Sequence, residues 1–62
     1  MGTNYTFKMT KRDHMEYTVD VMEMYVNGKF FASDDVVNIH ETFSQRCSEV
    51  RASLIYRYEW QS

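Results

Sequence analysis

The sequence has no proline, two glycines and one cysteine among its 62 residues. Each shortage excludes something. With only Gly2 and Gly28 available, neither a phosphate-cradling P-loop nor a dinucleotide-binding glycine fingerprint can be formed. A lone cysteine, Cys47, closes no intramolecular disulfide, so a stapled secreted mini-protein is excluded and a cytoplasmic setting is expected. Long apolar runs are missing too. Stretches such as Phe30-Phe31-Ala32 fall far short of the ~20 apolar residues of a membrane span. No charged segment leads into an apolar one as in a signal peptide, and no membrane association is expected. Nor is there an excess of charge: seven Lys/Arg stand against nine Asp/Glu, a net −2. A nucleic-acid binder usually carries a clear basic surplus, because neutralised phosphates supply most of its affinity.

What is present is a folding composition. Hydrophobic residues make up 44% of the chain and aromatics 16%, which argues against disorder. The length allows one domain, residues 1–62, burying roughly 60% of the surface exposed by the unfolded chain. At this size, buried area and an ordering entropy of ~1.5 kcal/mol per residue nearly cancel. Oligomerisation or unusually good packing has to make up the difference.

Periodicity sets out the expected elements. Tyr5, Phe7 and Met9 alternate with Thr6, Lys8 and Thr10, a half-buried strand. Lys11-Arg12-Asp13-His14 reads as a polar loop. Glu16 to Val26, rich in β-branched and aromatic residues, is a second strand, and Lys29 to Ala32 a third. Between them Asn27-Gly28 is a strong hairpin signal, since both central residues of a type I′ turn need positive φ. Ser33 is an expected N-cap, with Asp34 and Asp35 in the first turn of a helix. Val36, Ile39, His40, Phe43, Cys47 and Val50 would form its apolar stripe. Ser53 to Trp60 alternates again and reads as a fourth strand. The expected fold class is α+β: an antiparallel-rich four-stranded sheet, β-β-β-α-β, with one helix packed on one face. A right-handed crossover would give the order 3-2-1-4, with the first and last strands parallel.

The second strand carries apolar groups on both sides: Tyr17, Val19, Val21 and Tyr25 on one, Met22, Met24 and Val26 on the other. A two-residue hairpin sets Tyr25 against Phe30 and Met24 against Phe31. One helix covers one face only. A β-bulge near Val21-Met22 would bring the two halves to the same side; the alternative, adopted here, is that a second chain covers the other face. Met22, Met24, Val26 and Phe31 are then the candidate interface, with a homodimer expected.

Candidate chemistry is sparse. His40 and Cys47 lie two helical turns apart on the apolar stripe, where packing explains them without further ligands or a base. His14 reads as a solvated loop residue. Asp20 and Glu23 alternate to opposite faces, and Glu16 and Asp20 share one at about 13 Å, too far to act on one atom. No catalytic residue, metal site or cofactor is expected, and the protein is read as a non-enzyme. Lys8, Lys11, Arg12 and Arg57 are the candidate residues of the alternative, a single-stranded nucleic-acid surface interleaved with Tyr5, Phe7 and Tyr56.

In length and element order the chain resembles small bacteriophage-encoded inhibitors of host defence, anti-CRISPR proteins among them. The resemblance is one of build: the Tyr5–Met9 strand, the Asn27-Gly28 hairpin, the Ser33–Val50 cap and helix, and the Leu54–Trp60 strand. It implies a protein that works by steric blockade in the host cytoplasm, docking on a protein partner or nucleoprotein complex. Glu16, Asp20, Asp34 and Asp35 would supply the acidic patch by which some such inhibitors occupy a nucleic-acid channel.

Overall fold

The computed structural model describes residues 2–37 and 41–61. Three strands, β1 (Tyr5–His14), β2 (Tyr17–Val26) and β3 (Lys29–Asp35), form an antiparallel sheet in the order β1-β2-β3, followed by a helix, α1 (Phe43–Gln61). The class is α+β, as expected. The expected fourth strand is overturned, since Ser53 to Trp60 is helical, and among the described residues the sheet has no crossover and no parallel pair.

Two tight turns build the sheet. Asn27 and Gly28 both have positive φ, 52° and 84°, as the hairpin signal requires. The β1–β2 turn is Met15-Glu16, closed by the His14–Tyr17 pair, and Met15 takes φ 56°, a region that L-residues enter at a cost. β1 runs on through Lys11–His14, which pair with Tyr17–Asp20, so the polar segment expected as a loop is strand. Its polarity has a simple cause. Residues 8–18, the tip of this hairpin, are all exposed, and both faces there meet water.

Between β2 and β3 the register slips by one residue. Met24 pairs with Ala32 and Tyr25 with Phe30, leaving Phe31 as the extra residue of a bulge. The Tyr25–Phe30 pair is as expected, whereas Met24 faces Ala32 in place of Phe31. The bulge lies on β3, not near Val21-Met22.

The helix starts later than its expected cap. Thr42 Oγ1 accepts from the Gln45 N–H at 3.2 Å, and Gln45 Oε1 accepts from the Thr42 N–H at 3.1 Å. This reciprocal capping box satisfies two backbone donors that the first turn would otherwise strand. Ser33, Asp34 and Asp35 end β3 instead. Ile39 and His40 of the expected stripe lie outside the described residues. From Val50 onward, Leu54 and Tyr58 recur every four residues, and no proline or glycine interrupts the run, so helical spacing continues where alternation also fits.

The core is the layer between α1 and the sheet. Met22, Met24 and Val26 of β2 join Val36, Val50 and Leu54, and Tyr5, Phe7, Phe31, Ala32, Cys47, Ile55 and Tyr58 pack around them. Tyr58 meets Tyr5 and Phe31 edge-on, with ring centroids 6.0 and 5.2 Å apart. The molecule is elongated, 43 × 22 × 17 Å, because the β1–β2 hairpin reaches past this layer.

Candidate functional site

Alternation along each strand assigns every side chain to the helix side or to the opposite, open side of the sheet. Met22, Met24 and Val26 face α1, so Tyr17, Val19, Val21, Glu23 and Tyr25 face away from it. Their partners on β1 are His14, Arg12, Thr10, Lys8 and Thr6. On β3 they are Phe30, Ser33 and Asp35. No described segment covers this face.

An aromatic group sits at each end. At one, Tyr25 and Phe30 meet edge-on at 5.7 Å, and Lys8 Nζ lies 5.9 Å from the Tyr25 ring. Phe30 is 56% exposed. A shallow depression of about 240 Å³ beside them is lined by Thr6, Lys8, Tyr25 and Gly28. At the other end His14 and Tyr17 meet edge-on at 5.0 Å, and Tyr17 is 59% exposed. Between the two groups, the Arg12 guanidinium donates to Asp35 at 2.7 Å. Arg12 stands on β1 and Asp35 on β3, so the pair strides across β2 at the level of Val19 and Val21. Val19 and Val21, which belong to no helix-side cluster, are buried at that level. The arrangement offers stacking surface and hydrogen-bond donors.

Electrostatics follow the same geometry. The Tyr25 hydroxyl donates to Glu23 Oε1 at 3.1 Å, and this bond, with partial desolvation and the carboxylate charge, pushes the phenol above its ordinary value. On the helix side, partial desolvation raises Tyr5, aided by its 2.9 Å bond to Glu59 and the charges around it. Glu41 is also raised, chiefly by its hydrogen bond to Glu49.

The residues singled out from sequence are dispersed by the fold. Met22, Met24 and Val26 are buried under α1 and Phe31 packs against Tyr58, so this set holds the fold together. A second chain could reach it only if the helix left the sheet. Lys8 and Arg12 do share the open face. Lys11 and Arg57 lie on the helix side, in ion pairs with Asp20 at 3.4 Å and Asp34 at 3.2 Å. With Arg12 on Asp35, three of the four cations stand beside a carboxylate, and the acidic patch of Glu16, Asp20, Asp34 and Asp35 is broken up by the same pairs. Cys47 is half-buried at the core edge, and His40 lies outside the described residues. Among the described residues no group of three or more His, Cys, Asp or Glu could hold a metal ion, and no helix is long and apolar enough to cross a membrane.

Sequence reasoning grouped Tyr17, Val19, Val21 and Tyr25 on one face but gave that face to the core. It also missed a third exposed aromatic pair. Tyr56 and Trp60 stack at 6.0 Å on the outer side of α1, exposed by 65% and 78%, and their four-residue spacing is the signal that marks them. No protein family, characterised protein or solved structure matches the chain.

Proposed function

We propose that this protein is a non-enzymatic interaction module that docks through its open sheet face on a larger macromolecular complex and blocks it sterically. The carrying observation is the pair of exposed aromatic groups, Tyr25–Phe30 and His14–Tyr17, flanking the Arg12–Asp35 strap. Aromatics and arginine are the residues that most often anchor protein interfaces. The depression on the face is shallow, which suits a broad partner better than a small molecule. A lone half-buried cysteine fits a reducing compartment such as the cytoplasm.

The test compares capture by immobilised wild type with capture by Tyr17→Ser and Phe30→Ser, two substitutions at exposed positions that leave the core intact. Each should weaken capture of the same partner at least ten-fold, about 1.4 kcal/mol. Wild-type capture by both variants would refute the assignment. Lys8 over the Tyr25 ring, with Arg12 further along the same face of β1, favours a second reading, a single-stranded nucleic-acid surface. That reading requires oligonucleotide affinity that falls steeply with salt.

A further inference from the structure

Among the described residues β1 is an edge strand that pairs with β2 alone. Which of its backbone groups point outward follows from the hairpin. His14 and Tyr17 flank a two-residue turn, which makes them a hydrogen-bonded pair, and the ladder alternates from there. At the far end the Asn27 N–H donates to the Asn4 carbonyl at 2.8 Å, in phase with that count. Even-numbered residues of β1 therefore bond to β2. Tyr5, Phe7, Met9, Lys11 and Asp13 turn N–H and C=O to the outer edge. Charged side chains normally protect such an edge from pairing. Here the same charges select a partner.

We infer that a second copy of this chain pairs antiparallel along β1, with Met9 opposite Met9 on a two-fold axis normal to the sheet. Under that symmetry opposed residue numbers have a constant even sum, because only then do opposed side chains share a face. Centring the axis on Lys8 or on Lys11 sets a lysine against itself. Centring it on Thr10 sets Lys8 against Arg12 twice, and centring it on Phe7 leaves the far half of the strand unpaired. Between the two β1 strands the Met9 register opposes no like charges. It sets Lys8 against Thr10, Thr6 against Arg12, Phe7 against Lys11 and Tyr5 against Asp13. Outward groups over this length supply about ten inter-chain hydrogen bonds. The helix packs on β2 and β3 and leaves Met9 44% exposed, so the two methionines meet at the centre. The axis puts both open faces on one side, so the inference deepens the docking reading. The two fail separately, because pairing uses the outer backbone edge of β1 and docking is tested at Tyr17 and Phe30, on β2 and β3.

Sedimentation over a concentration series should show a reversible dimer. Met9→Pro deletes a donor that β2 does not use and puts a ring into the outer edge, so it should give a folded monomer. Thr10→Lys, at an exposed site, opposes Lys8 in both halves of the contact and should weaken dimerisation about ten-fold. In a Cys47→Ser background, Met9→Cys should oxidise to a covalent dimer, since Cα atoms ~5.5 Å apart are within disulfide reach. Lys11→Cys, about 14 Å from its symmetry mate, should not. A monomeric wild type overturns the inference. So does a dimer untouched by Thr10→Lys, or cross-linking as efficient at position 11 as at position 9.

Discussion

Truncating Leu54 and Trp60 to alanine separates the helix found here from the strand that alternation suggests. In a strand the two side chains share a face and would lose similar packing. In α1, Leu54 is 0% exposed, among Met22, Met24, Val26, Val36 and Val50, whereas Trp60 is 78% exposed. Leu54→Ala removes about three carbons from the core. The transfer loss is ~2.4 kcal/mol at 0.8 per buried carbon, and the residual cavity brings the cost to about 3–4 kcal/mol. Trp60→Ala forfeits only its stack on Tyr56, a few tenths of a kcal/mol. A 62-residue domain has a total stability of about 3–9 kcal/mol, so Leu54→Ala removes a third of it at least. Urea denaturation followed by far-UV circular dichroism reads both. With a slope near 1 kcal/mol per M, the Leu54→Ala midpoint should fall by about 3 M and the Trp60→Ala midpoint by less than about 0.5 M. Comparable losses for the two variants would refute the helical packing.

Thr42→Ala opens the capping box and should cost about 1 kcal/mol, visible as a lower urea midpoint, while Thr42→Ser should restore most of it. Tyr5 and Tyr25 both have raised pKa values, so folding favours their protonated forms. That contribution is fully present below the unfolded value near 10 and is lost as pH rises through the folded values. In an ultraviolet absorbance titration these two phenols should ionise above the ordinary value, and Glu23→Gln should bring Tyr25 back towards it.

The hairpin at Asn27-Gly28 was legible because positive φ at two successive positions leaves few residue choices. The three strand regions were legible wherever one face was apolar. The Lys11–His14 extension was not, since a hairpin that outruns its helix has no dry side to leave a period in the sequence. Over the eight residues from Ser53 to Trp60 both periods fit. Leu54 and Tyr58 satisfy either one, and only the distant Thr42–Gln45 box, which sets where the helix starts, decides between them. The Ser33-Asp34-Asp35 run imitates a cap because the groups that suit a helix start also suit ion pairs at a strand end, here with Arg57 and Arg12. The open face was visible as a set of residues. Which side the helix would take depended on long-range packing that local pattern does not carry.

The bulge at Phe31 gives β3 a reading frame. Were the ladder to run unbroken through Phe31, Met24 would face Phe31 and every following side chain would turn over. Val36 would pass from the core to the open face, Ser33 would enter beneath the helix, and Asp35 would leave Arg12 to confront Asp20. Deleting Phe31 closes the bulge instead and keeps Met24 on Ala32 and Val21 on Asp35, so the strand beyond it stays in frame. The extra residue is a stored unit of length, which one deletion in this segment can use up without inverting the strand.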